Sequence, residues 1–97
     1  MKVITICGSL KFKNEMMEVA EKLALEGNCI ITPVYLTEEN YIRTEKQIEN
    51  LKRAHFKKID LSDAIYIVNV NNYIGESTKL EIEYAKSKNK EIIYLEN

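Results

Sequence analysis

Apolar residues along the chain follow two alternating patterns, short unbroken β-branched runs and longer stretches with helical spacing. Val3-Ile4-Thr5-Ile6-Cys7 is the first run, closed by Gly8-Ser9, and such a run reads as a strand buried on both faces followed by a tight turn. From Leu10 to Glu26, Phe12, Met16, Val19, Ala20 and Leu23 recur at helical spacing among Lys and Glu, with Gly27 as the stop. Cys29-Ile30-Ile31 repeats the strand signal, and Pro33, which cannot donate to a central ladder, ends it. Thr37-Glu38-Glu39 offers an N-cap with an acidic first turn, after which Ile48, Leu51, His55 and Ile59 line one side of a long helix. Ala64 to Val70 is the third and purest strand, the expected centre of the sheet. Asn71-Asn72-Tyr73-Ile74-Gly75 reads as a loop, Ser77 or Thr78 as the cap of a helix running to about Lys88, and Glu91 to Leu95 as a last strand.

Strands alternating with helices imply right-handed crossovers and a parallel sheet covered on both faces. The expected fold is therefore α/β and doubly wound, flavodoxin-like or Rossmann-like, with about four strands in the order 2-1-3-4, three helices and a single domain over residues 1–97. In such sheets ligands bind outside the carboxyl ends of the strands, where the order reverses. That point gathers the loops Gly8 to Lys11, Val70 to Thr78, and the one after Pro33.

Composition narrows the partners. A net charge of -1 from 14 basic and 15 acidic residues leaves no electrostatic footprint for a nucleic-acid polymer or a membrane surface. A small molecule or a protein is the expected partner. No run approaches the ~18 apolar residues of a membrane span, and the start enters a strand pattern in place of a signal peptide, so a cytoplasmic location is expected. Cys7 ends one strand while Cys29 begins its neighbour, roughly 13 Å away at ~3.3 Å per residue, too far for a disulfide. Both cysteines read as buried small hydrophobes, and without nearby histidines they make no metal set. Neither a metal nor a cofactor is expected.

The candidate chemistry lies in the loops. Gly8-Ser9-Leu10-Lys11 sits where a strand hands over to a helix, so backbone N–H groups, the Ser9 hydroxyl and the Lys11 ammonium can cradle an anion; Ser9 equally well caps the helix. Asp63 closes Ile59-Asp60-Leu61-Ser62-Asp63 toward the amino end of strand 3, as a turn residue or as a group that reaches the crevice by a particular local path. Glu81 shares a helix face with Thr78, Ile82 and Ala85, opposite Lys79, Glu83, Lys86 and Lys90, and so points inward. An acid one turn inside a helix suits nucleophilic or ion-pair work on a cationic carbon, while Thr78-Lys79-Leu80-Glu81 also fits a capping box. His55, between Leu51 and Ile59, reads as a packed helix histidine, and Tyr35, Tyr41 and Tyr73 fall where a ring can stack on a base.

Three stretches together resemble the nucleoside 2-deoxyribosyltransferases and the related 2'-deoxynucleoside 5'-phosphate N-hydrolases. They are Ile6-Cys7-Gly8-Ser9, Leu61-Ser62-Asp63-Ala64 leading into Ile65-Tyr66-Ile67-Val68, and Ser77-Thr78-Lys79-Leu80-Glu81-Ile82-Glu83-Tyr84-Ala85. The resemblance implies that Glu81 is a nucleophile attacking C1' of a deoxyribosyl group and that Asp63 is the sugar-side aspartate. Ser9 and Lys11 resemble the residues that hold a 5'-phosphate. The implied substrate positions fall in two groups, Cys7, Gly8, Ser9 and Lys11 after the first strand, and Tyr73, Gly75, Ser77 and Thr78 before the last helix. The expected function is N-glycosidic cleavage or transfer on 2'-deoxynucleosides or their 5'-monophosphates, by a homodimer or higher homo-oligomer. Gly75 departs from the family pattern, which has an aspartate or serine there. A non-catalytic module binding a nucleotide or a nucleotide-derived signal is the alternative.

Overall fold

β-branched runs and amphipathic stretches fold as a three-layer structure in the computed structural model, which describes residues 1–37 and 43–97. The elements are β1 (Val3–Cys7), α1 (Lys13–Leu25), β2 (Cys29–Ile31), α2 (Glu45–Asp60), β3 (Ala64–Ile67), α3 (Glu76–Ser87) and β4 (Glu91–Tyr94). Among the described residues the sheet has four parallel strands in the order β2-β1-β3-β4, with Ile4 opposite both Ile30 and Ala64, and Ile65 opposite Ile92. This is the doubly wound α/β arrangement that the strand-helix alternation implies, with its reversal between β1 and β3.

The period-two geometry of the strands divides the core. Ile6, with Tyr66 and Ile30 beside it, faces α1 and packs with Met16, Val19 and Leu23. Cys7, Ile65 and Ile67 face the other way, against Ile59 of α2 and Ile82 and Ala85 of α3. Thr5 shares that second face, where a polar side chain is affordable only because it is bonded: its hydroxyl donates to the Lys58 carbonyl (3.1 Å) and pairs with the Ser62 hydroxyl (2.5 Å). Among the described residues no helix is long and apolar enough to cross a membrane.

Several boundaries differ from those expected, each for a local reason. The first helix begins as a 3-10 turn, Leu10–Phe12, before α1. β3 stops at Ile67 and not Val70: the Val68 N–H still donates to the Cys7 carbonyl, but at Asn69 the chain turns through Asn71 and Asn72 at φ 54° and 62°. α2 starts later than Thr37. Its cap is Thr44, in a reciprocal capping box with Gln47 (3.1 and 2.9 Å). The expected acidic first turn, Glu38-Glu39, and Tyr41 lie outside the described residues. α3 starts earlier, capped by the extended backbone of Gly75, so Ser77 and Thr78 are inside its first turn and the Thr78-Glu81 capping box does not form. Cys29 is exposed on edge strand β2, unlike the buried Cys7, and both thiols are free.

Candidate functional site

Reversal of the strand order leaves an opening at the carboxyl edge, and there the chain makes a crevice of about 430 Å³. Gly8, Ser9 and Leu10 form one wall, Gly75 to Thr78 and Glu81 a second, Leu51, Lys52, His55 and Lys58 of α2 a third, and Pro33, Val34 and Leu36 the rim. Gly8 keeps a close approach open: a Cβ there would stand 3.1 Å from the Val68 carbonyl oxygen and 3.3 Å from Met16 Sδ, so both would have to give by a few tenths of an ångström. β1 and β3 can therefore close around the turn that carries Ser9.

The start of α3 is the most polar wall. Gly75 provides no side-chain cap, and the first intrahelical bond is that from the Lys79 N–H to the Gly75 carbonyl (3.0 Å). The N–H groups of Glu76, Ser77 and Thr78 precede it, so they have no acceptor within the helix, and the positive end of the helix dipole meets the crevice. Ser9 contributes a hydroxyl whose one bond, from the Lys11 N–H, is long at 3.4 Å.

Glu81 lies one turn further in, with its side chain 17% exposed. Its carboxylate Oε1 is 3.6 Å from His55 Nε2, and that nitrogen is 3.3 Å from Cys7 Sγ. Cys7 is fully buried behind the other two. Burial disfavours charge on all three. It raises the Glu81 carboxyl from its ordinary 4.5 to about 7, partly offset by the hydrogen bond from Cys7. Burial, helped by the positive Lys58, lowers His55 from 6.5 to about 4. The Cys7 thiol is pushed up by burial and by the neighbouring Glu81. Near neutral pH the trio is thus a thiol, a neutral imidazole and a carboxyl that is half ionised.

The structure gathers Gly8, Ser9, Gly75, Ser77, Thr78 and Glu81 into the crevice. Five other candidates are not part of its lining. Asp63 sits at the opposite, amino edge of the sheet, where its Oδ2 accepts the Val3 N–H (2.8 Å) and its own N–H donates to the Val3 carbonyl (2.8 Å). A strand's length therefore intervenes between Asp63 and the crevice. Lys11 turns away, its Nζ 3.4 Å from the centre of the Tyr73 ring, which in turn packs edge-on against Phe12. Tyr73 makes that stack with its hydroxyl end beside Gly75, and Tyr35 packs on the α1 side of the sheet. Cys7 lies beneath the crevice and not on its surface.

His55 is the correction of most consequence. Expected as a packing residue, it is buried, but it also lines the crevice and brings Cys7 and Glu81 into one cluster, where no histidine was expected near a cysteine. Lys52 and Lys58 were likewise missed. The signal was present in their spacing, since Leu51, His55 and Lys58 are one turn apart on a single face of α2. A family model described as a domain of unknown function, DUF4406, matches residues 5–94. No match was found among the curated proteins compared.

Proposed function

We propose, for a chain that belongs to the DUF4406 family and so takes no activity from that family's description, that the crevice cleaves the N-glycosidic bond of 2'-deoxynucleoside 5'-monophosphates. The observation that carries this reading is the position of Glu81. Its carboxyl is free of capping duty, reaches the crevice, and lies one helical turn inside a wall suited to a phosphate. The 5'-phosphate takes the unsatisfied N–H groups of Glu76, Ser77 and Thr78, with the hydroxyls of Ser9 and Ser77 and the ammonium of Lys52 beside it.

In the first step the Glu81 carboxylate bonds to C1' as the bond from C1' to the base nitrogen breaks. The base leaves with that electron pair and is protonated by water at the crevice mouth, where Glu76 also sits. In the second step water attacks C1' as its bond to the Glu81 oxygen breaks, releasing 2-deoxyribose 5-phosphate and restoring the carboxylate, while the proton the water loses neutralises the hydroxide left by protonation of the base. Positive charge that builds on the sugar in each step is met by the same carboxylate. Neutral His55, 3.6 Å from Oε1, positions it without neutralising it. Only ionised Glu81 can attack, so kcat/KM should rise with pH through about 7, following its raised pKa.

Free base and an intact-mass increase on Glu81, sought after incubation with a panel of deoxynucleosides and their 5'-monophosphates, test the proposal. Release of base by the protein and not by Glu81→Gln supports it; equal release by both rejects the nucleophile. One observation favours a second reading, in which a nucleotide is bound and not cleaved: the N-cap position of α3 is Gly75, which has no side chain to protonate a departing base. That reading requires saturable binding with the ligand recovered intact.

A further inference from the structure

We propose that the floor of the crevice is a binding site for a borderline-soft divalent cation of the Zn2+ type, held by Cys7 Sγ, His55 Nε2 and a carboxylate oxygen of Glu81. One ligand atom from each of these residues lies within 4.8 Å of the others, with Sγ to Nε2 at 3.3 Å and Nε2 to Oε1 at 3.6 Å. A tetrahedral ion with bonds of about 2.3 Å to sulfur and about 2.0–2.2 Å to nitrogen and oxygen places its ligand atoms roughly 3.4–3.6 Å apart. Two of the three separations already match, and the third, from Cys7 Sγ to the Glu81 carboxylate, is within 4.8 Å and closes by about 1 Å through side-chain rotation when the ion binds.

The donor set selects the ion. One thiolate, one imidazole and one carboxylate suit zinc and its neighbours, whereas calcium and magnesium want oxygen alone. The three donors also come from three separate elements, β1, α2 and α3, so the packing of the core fixes their spacing before any ion arrives. Cys7 closes the site from within the core, while His55 and Glu81 border the crevice and leave the fourth coordination position facing it. A site with three protein ligands and one open position exchanges its fourth ligand with whatever occupies the crevice. On binding, Cys7 releases its thiol proton to solvent, Glu81 coordinates as the carboxylate after losing any proton it carries, and His55 coordinates as neutral imidazole. No electron is transferred.

Metal binding here does not depend on base cleavage. If Glu81 is also the nucleophile, the ion takes the same oxygen and blocks attack on C1', so the two readings fail separately: base release is measured with a chelator present, and metal binding without nucleotide. The 97-residue chain, reduced and freed of metal, is titrated with Co2+ and then Zn2+. One equivalent of Co2+ should give a sulfur-to-cobalt charge-transfer band with the intense visible bands of four-coordination, and Zn2+ should abolish both. Cys29→Ser should leave them intact, Cys7→Ser should remove the charge-transfer band, and His55→Ala and Glu81→Gln should each weaken Zn2+ binding at least tenfold. A weak six-coordinate cobalt spectrum, or a band lost in Cys29→Ser and kept in Cys7→Ser, overturns the proposal. Should Cys7→Ser fail to fold by circular dichroism, the decision passes to His55→Ala, whose unchanged Zn2+ affinity would overturn it equally.

Discussion

At the amino edge of the sheet, the Asp63 carboxylate is exposed and accepts the Val3 N–H, while the neighbouring Lys2 and Glu91 form an ion pair in solvent (2.7 Å). At the carboxyl edge, Glu81 is mostly buried, lies beside a neutral histidine and a thiol, and its pKa is driven upward. Both acids belong to stretches that resemble the same family. What separates them is the backbone around them. Asp63 is tied into the strand starts around it, its carboxylate accepting the Val3 N–H of β1 and its backbone carbonyl the Glu91 N–H of β4, whereas Glu81 faces a cavity whose unsatisfied donors belong to the preceding turn of its helix. An acid that bonds the backbone at a strand start serves the fold; one that faces a cavity without such a bond is available for chemistry.

The sharpest way to break this contrast is to neutralise Glu81. Glu81→Gln should lower kcat/KM for base release from deoxynucleoside monophosphates by about a thousandfold or more, the scale of removing a nucleophile. The same substitution should strengthen the fold in alkaline solution. Raising Glu81 from 4.5 to about 7 means that the native state binds its proton more tightly than the unfolded chain does, so this contribution is complete below about pH 4.5 and is lost as pH rises through 7. At about 1.4 kcal/mol per pKa unit, the ionised carboxylate weakens the fold by about 3 kcal/mol, which urea unfolding at pH 8 should recover in Glu81→Gln.

His55 has the opposite slope. Lowered from 6.5 to about 4, it keeps its contribution above about pH 6.5 and loses it as pH falls through 4. Between about pH 4.5 and 6.5 the two slopes oppose each other, so the unsubstituted protein should show a nearly flat stability profile there. Glu81→Gln should tilt it upward with pH, and a profile that stays flat would show that the two groups do not titrate as a buried pair. A smaller effect is expected at Lys52, where Lys52→Ala should raise KM for a 5'-monophosphate about tenfold with little change for the free nucleoside, as one charge-assisted contact implies. Smallest is Asp63→Ala, expected to lower stability by about 1 kcal/mol and to leave base release within about twofold. A large loss of activity there would move Asp63 back into the site.

Local signals carry the fold further than the site. Unbroken runs such as Val3–Cys7 and the alternation of strand and helix fix both the element types and the order 2-1-3-4, because few crossovers are possible. Helix starts are less secure, since several residues compete for each cap. Thr44 with Gln47 satisfies two donors at once and prevails over Thr37, while Gly75 begins α3 ahead of two better capping residues. The inward face of Glu81 follows from helical spacing. Its neighbours do not, because Cys7 and His55 are 48 positions apart, and only the packing of α2 over the end of β1 brings them together. Lys11 was misplaced for a related reason: nothing in its spacing reveals the Tyr73 ring that captures it.

The register of the central strand also sets an order of events during folding. β1 pairs with β3 across a separation such as Val3 to Asp63, 60 residues, so the sheet's central ladder must close a long loop before its contacts repay that entropy. The β1-α1-β2 crossover is local by comparison and can form while the rest of the chain is still being made. The walls of the crevice, Ser9 after β1 and Glu81 after β3, meet only once the distant half has docked. On a ribosome, the pocket would therefore be one of the last parts of the molecule to exist, and a chain stalled before β3 would carry its Gly8-Ser9 turn with no second wall to complete the crevice.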